Sequence, residues 1–400
     1  MYDNKLHMLY RRTIFSRLES EVEKKEITVI TGMRQVGKTT ALLHLFDLVQ
    51  SNNKAVFDLE NPLHRKVFEE ENYDTVWNNL QQFGITNEQK AYLFLDEIQN
   101  LPEISKVVKY LYDHWNVKFF LTGSSSYYLR NLFPESLAGR KIVFEIFPLT
   151  FAEFLIFKST KRNSPETFIQ KAKDKNKISY DQLIGLYKEY LEFGGFPSVV
   201  LEPNLERKRA LLSEVFTSYF EKDAKNLADF KDMSKLRDLI LLLIPRVGSR
   251  IEILKLATGL SISRETVYAY LAFLEQTYVI SLIPRHSGSI DRQAAGSRKL
   301  FICDCGIANI LGKLSEGQLF EQSVFQNLRS DHKLSFYNKG GGTEIDFVAD
   351  EKTALEVKIA ASQQDITTLR LRAESIQLTE NYVVTLQYSE NVATIVATDI

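Results

Sequence analysis

The segment GMRQVGKTT, residues 32–40, constrains the fold more than any other stretch of this 400-residue chain. It fits the pattern GxxxxGK[ST], in which glycines let the backbone turn around a phosphate and a helix N-terminus faces the anion. An apolar stretch, ITVIT, precedes it, and a helical stretch, KTTALLHLFDLVQ, follows it. Because strand, loop and helix come in the required order, we predict a phosphate-binding loop rather than a chance Gly-Lys turn before a helix.

The loop predicts both a nucleotide and a divalent cation. Lys38 is expected to reach the terminal phosphates, and the Thr39 hydroxyl to ligate Mg²⁺. ATP and Mg²⁺ are therefore the predicted cofactors. The residues expected to contact the nucleotide from this loop are Gly32, Arg34, Gln35, Val36, Gly37, Lys38, Thr39 and Thr40.

Polar residues end two later apolar stretches, YLFLDE and LTGSSS. Asp96 is expected to hold Mg²⁺ through water, and Glu97 to orient and polarise the attacking water. Ser124 is the candidate for sensing the γ-phosphate. The spacing suits equally well a helix cap for the segment SYYLRNLF.

Hydrophobic patterning predicts several domains, and the length suggests two to four. Short apolar strands alternate with helical stretches from residue 27 to about 149, which predicts an α/β domain with a mainly parallel sheet. Helical periodicity then runs to about Phe230, broken by FGGFP. Residues 235–290 predict three helices followed by a strand, the pattern of a winged helix, and the last hundred residues return to α/β.

The segment TEIDFVADEKTALEVK, residues 343–358, predicts a β-hairpin with alternating apolar and charged positions. If the turn centres on Glu351, Asp346 lies opposite Glu356 on one polar face. Like charges placed opposite each other destabilise a sheet. The pair therefore calls for a compensating cation.

Bulk composition limits the class of protein. The chain is 44% hydrophobic and 25% charged with a formal net charge of −1, so nucleic-acid binding would need local basic patches. Cys303 and Cys305 are expected to be two buried thiols in a reducing compartment rather than a metal site. The N-terminal residues lack a signal-peptide core and the run LILLLI is too short to span a bilayer, so no membrane association and a cytoplasmic location are expected.

Several motifs together resemble the prokaryotic AAA-type ATPases that carry a C-terminal domain of unknown function, DUF4143. They are the loop at 32–40, FDLE, LFLDEIQ, LTGSSS, SLAGR, FPLTFAEF and GGFP, in this order. The resemblance implies an α/β multidomain fold: a P-loop AAA+ ATPase core (1–155), a helical lid (156–230), a winged-helix domain (231–295) and a restriction-endonuclease-like domain (296–400). It also implies that Arg140 acts as an arginine finger. If a neighbouring subunit supplies that finger, the protein is a homo-oligomer, with a hexamer as one candidate. The alternative is that Arg140 is a surface arginine at the start of a strand.

The hairpin fits the D…(D/E)xK pattern of restriction-endonuclease-like nucleases. Asp346 and Glu356 are hard oxygen ligands suited to Mg²⁺ or Mn²⁺, and Glu321 from the preceding helical stretch is a third candidate ligand. Lys358 is expected to position the attacking water or help deprotonate it. The alternative is a solvated hairpin face on which Lys358 pairs with Glu356 or Glu344.

Residues 231–300 contain eleven Lys or Arg against six Asp or Glu, a local basic excess on the winged-helix pattern. Arg264, Thr266 and Tyr268 are the candidate groove contacts. The leading hypothesis is an ATP-driven enzyme that cleaves duplex, branched or single-stranded DNA. Its rival is a nucleotide-dependent regulatory switch whose C-terminal domain binds DNA or a partner protein without cleavage.

Overall fold

The structure is a computed structural model that describes six stretches of the chain. They are residues 9–124, 139–162, 165–224, 232–289, 296–340 and 343–400. The chain divides into two compact units. The first comprises Met1–Phe147, Tyr219–Ala228 and Gln276–Tyr278, and the second comprises Pro148–Ser218, Asp229–Glu275 and Val279–Ile400.

The first unit is built on a five-stranded parallel sheet of order β2-β3-β4-β1-β5, which confirms the predicted sheet. Its strands are β1 (Ile27–Thr31), β2 (Lys54–Asp58), β3 (Ala91–Asp96), β4 (Val117–Gly123) and β5 (Lys141–Glu145). Its helices are α1 (Phe15–Glu19), α2 (Lys38–Leu48), α3 (Pro62–Lys66), α4 (Tyr73–Gln81) and α5 (Ile104–His114).

The three central strands of this sheet are buried along their whole length. Continuous apolar sequence such as AYLFL is what a parallel strand needs when both its faces are covered. The carboxyl ends of these strands meet at one edge of the sheet, where ligands bind in open α/β folds. The residues that follow β1, β3 and β4 therefore converge.

The second unit begins with helices, as the helical periodicity predicts, while the assignment of this segment as a lid stays a prediction. They are α6 (Phe151–Phe157), α7 (Phe168–Lys173), α8 (Lys177–Phe193), α9 (Pro197–Leu201) and α10 (Leu205–Ser218). The GGFP segment separates α8 from α9. Other atoms pack closely against its glycines. A Cβ on Gly195 would lie only 2.3 Å from the Leu149 carbonyl oxygen, so a larger residue does not fit there.

Three helices and two antiparallel strands form the part of the second unit where the sequence predicts a winged helix. The elements are α11 (Met233–Leu243), α12 (Ile253–Leu260), α13 (Arg264–Gln276), β6 (Ile280–Pro284) and β7 (Arg298–Ile302). The apolar stripe predicted for α13 is buried, including Val267 and Leu274, whereas Arg264 and Tyr268 are exposed. The assignment of these elements to the winged-helix class stays a prediction.

A mixed five-stranded sheet of order β12-β11-β10-β9-β8 completes the second unit. Its strands are β8 (Leu334–Gly340), β9 (Thr343–Ala349), β10 (Thr353–Lys358), β11 (Glu380–Thr385) and β12 (Thr394–Val396). The accompanying helices are α14 (Cys305–Leu311), α15 (Glu316–Leu328) and α16 (Gln363–Ser375). None of the helices in the described stretches is long and apolar enough to cross a membrane.

The predicted hairpin forms with the predicted register. Strands β9 and β10 are antiparallel, and Leu355 pairs with Phe347. The observed pairing ends there, one step before Glu356 and Asp346, and Asp346 Oδ2 accepts from the backbone nitrogen of Val357. The positive φ of Asp350 and Glu351 makes the tight turn between the strands.

Both cysteines are buried, as predicted, although only Cys303 directly follows a strand and Cys305 begins helix α14. Burial raises the pKa of both thiols, so they stay protonated at neutral pH and are unreactive.

Candidate nucleotide site and carboxylate cluster

The phosphate-binding loop connects β1 to α2 with two glycines in conformations that other residues avoid. Gly37 has a φ of 99° directly before α2. Gly32 has a φ of 149°, and a Cβ there would lie 2.1 Å from the carbonyl oxygen of Ile146. Both positions require glycine, which agrees with the motif.

Lys38 and Thr39 form the first turn of α2. The Lys38 ammonium is buried and donates to the Met33 carbonyl oxygen at 3.0 Å, across the mouth of the loop. The Thr39 hydroxyl donates to Asp96 Oδ2 at 2.8 Å. The structure thus brings together the three polar groups that the sequence assigns to phosphate and Mg²⁺.

Asp96 is held by two hydroxyl groups at the end of β3. Besides Thr39, the Thr122 hydroxyl donates to its other oxygen, Oδ1. Burial raises the pKa of the Asp96 carboxyl, and the two hydrogen bonds counteract this only in part. Because a neighbouring cation would stabilise the charged form, this carboxylate suits a divalent ion.

Glu97 adopts a left-handed conformation, with φ 54° and ψ 51°, directly after β3. Its carboxylate accepts a hydrogen bond from Gln99 Nε2. The Gln99 side-chain oxygen lies 3.4 Å from the backbone nitrogen of Ser124. Gln99 therefore connects Glu97, expected to act on the water, to Ser124, expected to sense the γ-phosphate. The alternative role of Ser124, a helix cap for SYYLRNLF, concerns residues outside the described stretches.

Two arginines support the loop. Arg12 donates to the carbonyl oxygens of Val36 and Phe147, both at 2.9 Å, and so connects the loop to the end of the segment that follows β5. Arg34 pairs with Glu60 at 3.6 Å. The remaining predicted loop contacts differ in exposure, since Val36 is buried whereas Gln35 and Thr40 are exposed.

Arg140 lies at the other edge of the same sheet. Its carbonyl oxygen accepts from the nitrogen of Ile27, and its guanidinium forms two hydrogen bonds with Asp113 at 3.0 and 3.3 Å. The phosphate-binding loop begins five residues beyond Ile27, roughly 16 Å along the strand. A role for Arg140 on phosphate therefore requires a second copy of the chain and stays a prediction.

The second unit contains four carboxylates that we call the carboxylate cluster: Glu321, Glu344, Asp346 and Glu356. Helix α15 supplies the first, strand β9 the next two and β10 the last. A lysine that the sequence analysis missed, Lys299 of β7, lies among them. Its Nζ is 2.6 Å from Glu321 Oε1, 3.1 Å from Asp346 Oδ1 and 3.5 Å from Glu344 Oε1.

Glu356 has its own cationic partners. Its Oε1 lies 3.0 Å from Lys358 Nζ and 3.9 Å from Arg372 Nη1. Its Oε2 is buried and has no hydrogen-bond partner among the described residues. Asp346 is satisfied on its other side, because its Oδ2 accepts from the backbone nitrogen of Val357 at 2.9 Å.

The proximity of these carboxylates shifts their acidity. Burial, followed by the charge of Asp346, raises the pKa of Glu321 to about 8 and that of Glu356 to about 7. Burial alone would lower the pKa of Lys358, but Glu356 and Asp346 outweigh it and raise that pKa. Lys358 lies beside Glu356, and its role in positioning or helping to deprotonate a water stays a prediction.

The two sites differ in how well a divalent cation fits. In the first unit, Thr39 and Asp96 offer oxygen ligands beside a phosphate loop. In the carboxylate cluster, the Lys299 ammonium already lies between Glu321 and Asp346, two of the three predicted ligands. No group of three or more His, Cys, Asp or Glu within the described stretches is arranged to hold a metal ion. The cluster as it stands does not fit a divalent cation.

Comparison with known proteins places this geometry in a family. Residues 24–155 match an AAA domain, residues 184–318 a domain of unknown function, DUF8612, and residues 316–395 a domain of unknown function, DUF4143. An uncharacterised protein of Methanocaldococcus jannaschii is 30% identical over 346 residues, 83% of this chain and 74% of that protein. The chain belongs to the AAA-type ATPase family of that protein.

Other known proteins are also similar to this chain. An uncharacterised protein of Haemophilus influenzae is 28% identical and covers 86% of this chain and 84% of its own length. Among solved structures, the Walker-type ATPase of Pyrococcus abyssi covers 76% of this chain and 96% of its own, with a TM-score of 0.46 and 16% identity. The match to the ADP form of the Aeropyrum pernix ORC2 protein covers 69% of this chain and 88% of that protein, with a TM-score of 0.36 and 13% identity.

Sequence reasoning missed five residues at these sites of this AAA-type ATPase: Arg12, Gln99, Thr122, Lys299 and Arg372. Gln99 and Thr122 lie within the motifs LFLDEIQ and LTGSSS, so the sequence could have predicted that both are near the nucleotide site. Lys299 precedes the apolar run LFIC, and strand alternation places it on the same face as Phe301. Arg12 carries no local signal, because its partners are far along the chain.

Proposed function

We propose that this AAA-type ATPase binds ATP with Mg²⁺ at the phosphate-binding loop and hydrolyses it. The observation that carries the proposal is the hydrogen bond between Thr39 and Asp96, with the Glu97 carboxylate in the next position. A hydroxyl from the loop and an acidic residue from β3 are the pair that an Mg²⁺–nucleotide site requires.

Each polar residue of the site has a distinct task in this proposal. Lys38 leaves the Met33 carbonyl oxygen and donates to the terminal phosphate oxygens, while the amides at the start of α2 bind the phosphates. Thr39 and Asp96 would hold Mg²⁺, which neutralises charge on the phosphate oxygens when it is bound. Glu97 orients a water and accepts its proton, and Gln99 fixes the position of that carboxylate.

Replacement of Lys38 by alanine tests the assignment. We expect ATP turnover to fall by at least about a hundredfold, because the only lysine in the loop is lost. The measurement is steady-state phosphate release by the full chain. Lys66→Ala, which removes an exposed lysine of the same unit, is the matched control. Unchanged turnover in Lys38→Ala would refute the phosphate-binding role.

For the second unit we favour the regulatory switch over DNA cleavage. Phosphodiester cleavage of the predicted type needs a divalent cation bound by Asp346 and Glu356. Lys299 already compensates the charge of Asp346, and Lys358 and Arg372 lie beside Glu356. The four carboxylates thus face three cations, which leaves little net charge to attract a divalent ion.

The three-helix part of the second unit is the proposed contact for DNA. Arg264 and Tyr268 lie exposed on α13 while its apolar face is buried. An exposed arginine and an aromatic ring on one helix are residue types that contact phosphates and bases.

We expect Arg264→Glu to weaken duplex DNA binding about tenfold, since it replaces a positive by a negative charge at the helix start. Fluorescence anisotropy of a labelled duplex at fixed salt measures the effect. Lys177→Glu, at an exposed lysine of the same unit outside the three helices, is the control. Equal affinity of wild type and both variants would leave α13 without a role in DNA binding.

A further inference from the structure

Lys299 occupies an unusual position for a lysine. Its side chain is 1% exposed, and its charged end lies within 3.5 Å of three carboxylates. The Lys299 ammonium therefore lies at the point where the three acidic side chains converge.

Neighbouring groups hold this ammonium in place. The Phe347 ring centroid is 5.6 Å from Nζ, within reach of a cation–π interaction. On the far side of Glu321 the backbone of Gly248 packs closely, because a Cβ there would lie 2.6 Å from Glu321 Oε2. Since β7 pairs with β6 through the register Ile283–Lys299, the lysine is also anchored by its strand.

We propose that Lys299 is a built-in cation that takes the place of a divalent metal ion in the carboxylate cluster. The native chain then binds no divalent cation at Glu321, Asp346 and Glu356. An ammonium and a divalent ion cannot share the same carboxylates without strong repulsion at this distance. Removal of the lysine charge opens the site.

The cluster without Lys299 would offer suitable ligands. Glu321 Oε1 and Asp346 Oδ1 each lose their ammonium partner, and both are hard oxygen donors. Glu356 is 8% exposed, and its Oε2 is already buried without a hydrogen-bond partner among the described residues. Carboxylate oxygens are the ligands that Mg²⁺ and Mn²⁺ prefer. Because the described carboxylates are not at present arranged to hold a metal ion, the side chains of Glu321, Asp346 and Glu356 would have to close around the ion once Lys299 is gone.

This inference deepens the proposed non-cleaving role of the second unit and does not depend on nucleotide hydrolysis. Cation binding is measured without nucleotide, so that a failure here leaves the ATPase proposal intact. Conversely, loss of the ATPase proposal through the Lys38→Ala test leaves Lys299 and its partners unaffected.

The experiment measures Mn²⁺ binding to the nucleotide-free full chain by isothermal titration calorimetry and by the electron paramagnetic resonance signal of free Mn²⁺. We expect Lys299→Met to bind Mn²⁺ at least about tenfold more tightly than the wild type does, because the repulsive charge is gone. Lys333→Met, at an exposed lysine of the same unit, should behave as wild type. Adding Glu356→Gln to Lys299→Met should abolish the gain.

Two results would overturn the proposal. One is a folded Lys299→Met variant, shown by circular dichroism, with no gain in Mn²⁺ affinity. The other is Mn²⁺ binding by the wild type that Glu356→Gln abolishes. The second comparison needs no change at Lys299, so it decides the question even if the Lys299 variant does not fold.

Discussion

Replacement of Glu97 by glutamine is expected to lower ATP turnover by about two to four orders of magnitude while nucleotide binding persists. Glutamine has nearly the same shape, so the backbone at this left-handed position is unchanged. Its amide oxygen can still accept from Gln99 Nε2, the partner of the Glu97 carboxylate. What is lost is the basic oxygen that, in the proposed mechanism, accepts a proton from the attacking water.

The separation of turnover from binding makes this test specific. The rate of phosphate release and the affinity for a fluorescent ATP analogue are measured on the same preparation. Glu103→Gln, at a glutamate that pairs with Lys106 on the surface of the first unit, is the matched control. If Glu97→Gln turned over ATP at the wild-type rate, another group would have to activate the water.

Asp96 and Glu97 differ in the hydrogen bonds that their side chains make. The two Asp96 oxygens are engaged by Thr39 and Thr122. In Glu97, by contrast, the backbone nitrogen donates to the Thr122 hydroxyl at 3.0 Å. These different partners agree with the proposed roles, in which Asp96 would hold Mg²⁺ and Glu97 would orient the water.

The parts of the fold that depend on local sequence could be predicted. The loop at 32–40 needs two glycines and a following helix, and the hairpin at 343–358 needs an alternating pattern and a turn. Both are decided within about twenty residues, where periodicity and turn chemistry dominate. The hairpin register also predicts that Asp346 and Glu356 lie close together, and in the structure the charge of Asp346 acts on Glu356.

The partners of those residues could not be predicted in the same way. Lys299 reaches Asp346 from a different sheet, 47 positions earlier in the sequence. The hairpin pattern shows that two carboxylates need a cation, but it does not say whether that cation is a metal ion or a side chain. Only tertiary structure supplies the answer, because any buried positive charge satisfies the same electrostatic requirement.

Asp304 is the second residue at which we expect a large effect, here on stability. It is fully buried at the start of α14, where its Oδ1 accepts from the nitrogens of Gly306 and Ile307 at 2.8 and 3.2 Å. Its Oδ2 accepts from the Gly195 nitrogen at 2.7 Å and from Gln326 Nε2 at 2.9 Å. One carboxylate thus ties α14 and α15 to the GGFP segment.

The close packing around Asp304 leaves no room for substitutes. A Cβ on Gly194 would lie 1.9 Å from Asp304 Oδ1, so the double glycine is what lets the carboxylate reach Gly195. Burial raises the pKa of the Asp304 carboxyl, while the bonds from Gly195 and Gln326 favour the charged form. Water cannot replace these acceptor bonds without a rearrangement of GGFP.

Asp304→Ala is therefore expected to lower the free energy of unfolding of the second unit by about 3–5 kcal/mol, because buried donors lose their acceptor. Asp304→Asn should have a smaller effect, since it keeps one acceptor oxygen for the helix start. Ser315→Ala removes only an exposed N-cap, that of α15, and should cost about 1 kcal/mol.

Urea unfolding with two probes can assign this loss to the correct unit. Both tryptophans of the chain, Trp77 and Trp115, lie in the first unit, so their fluorescence reports on that unit, whereas far-UV circular dichroism reports on both. For Asp304→Ala we expect the circular dichroism transition to begin at lower urea than the fluorescence transition. A loss no larger than that of Ser315→Ala would mean that the bonds to Gly195 and Gln326 contribute nothing beyond the helix cap, and that the carboxylate does not hold the GGFP segment.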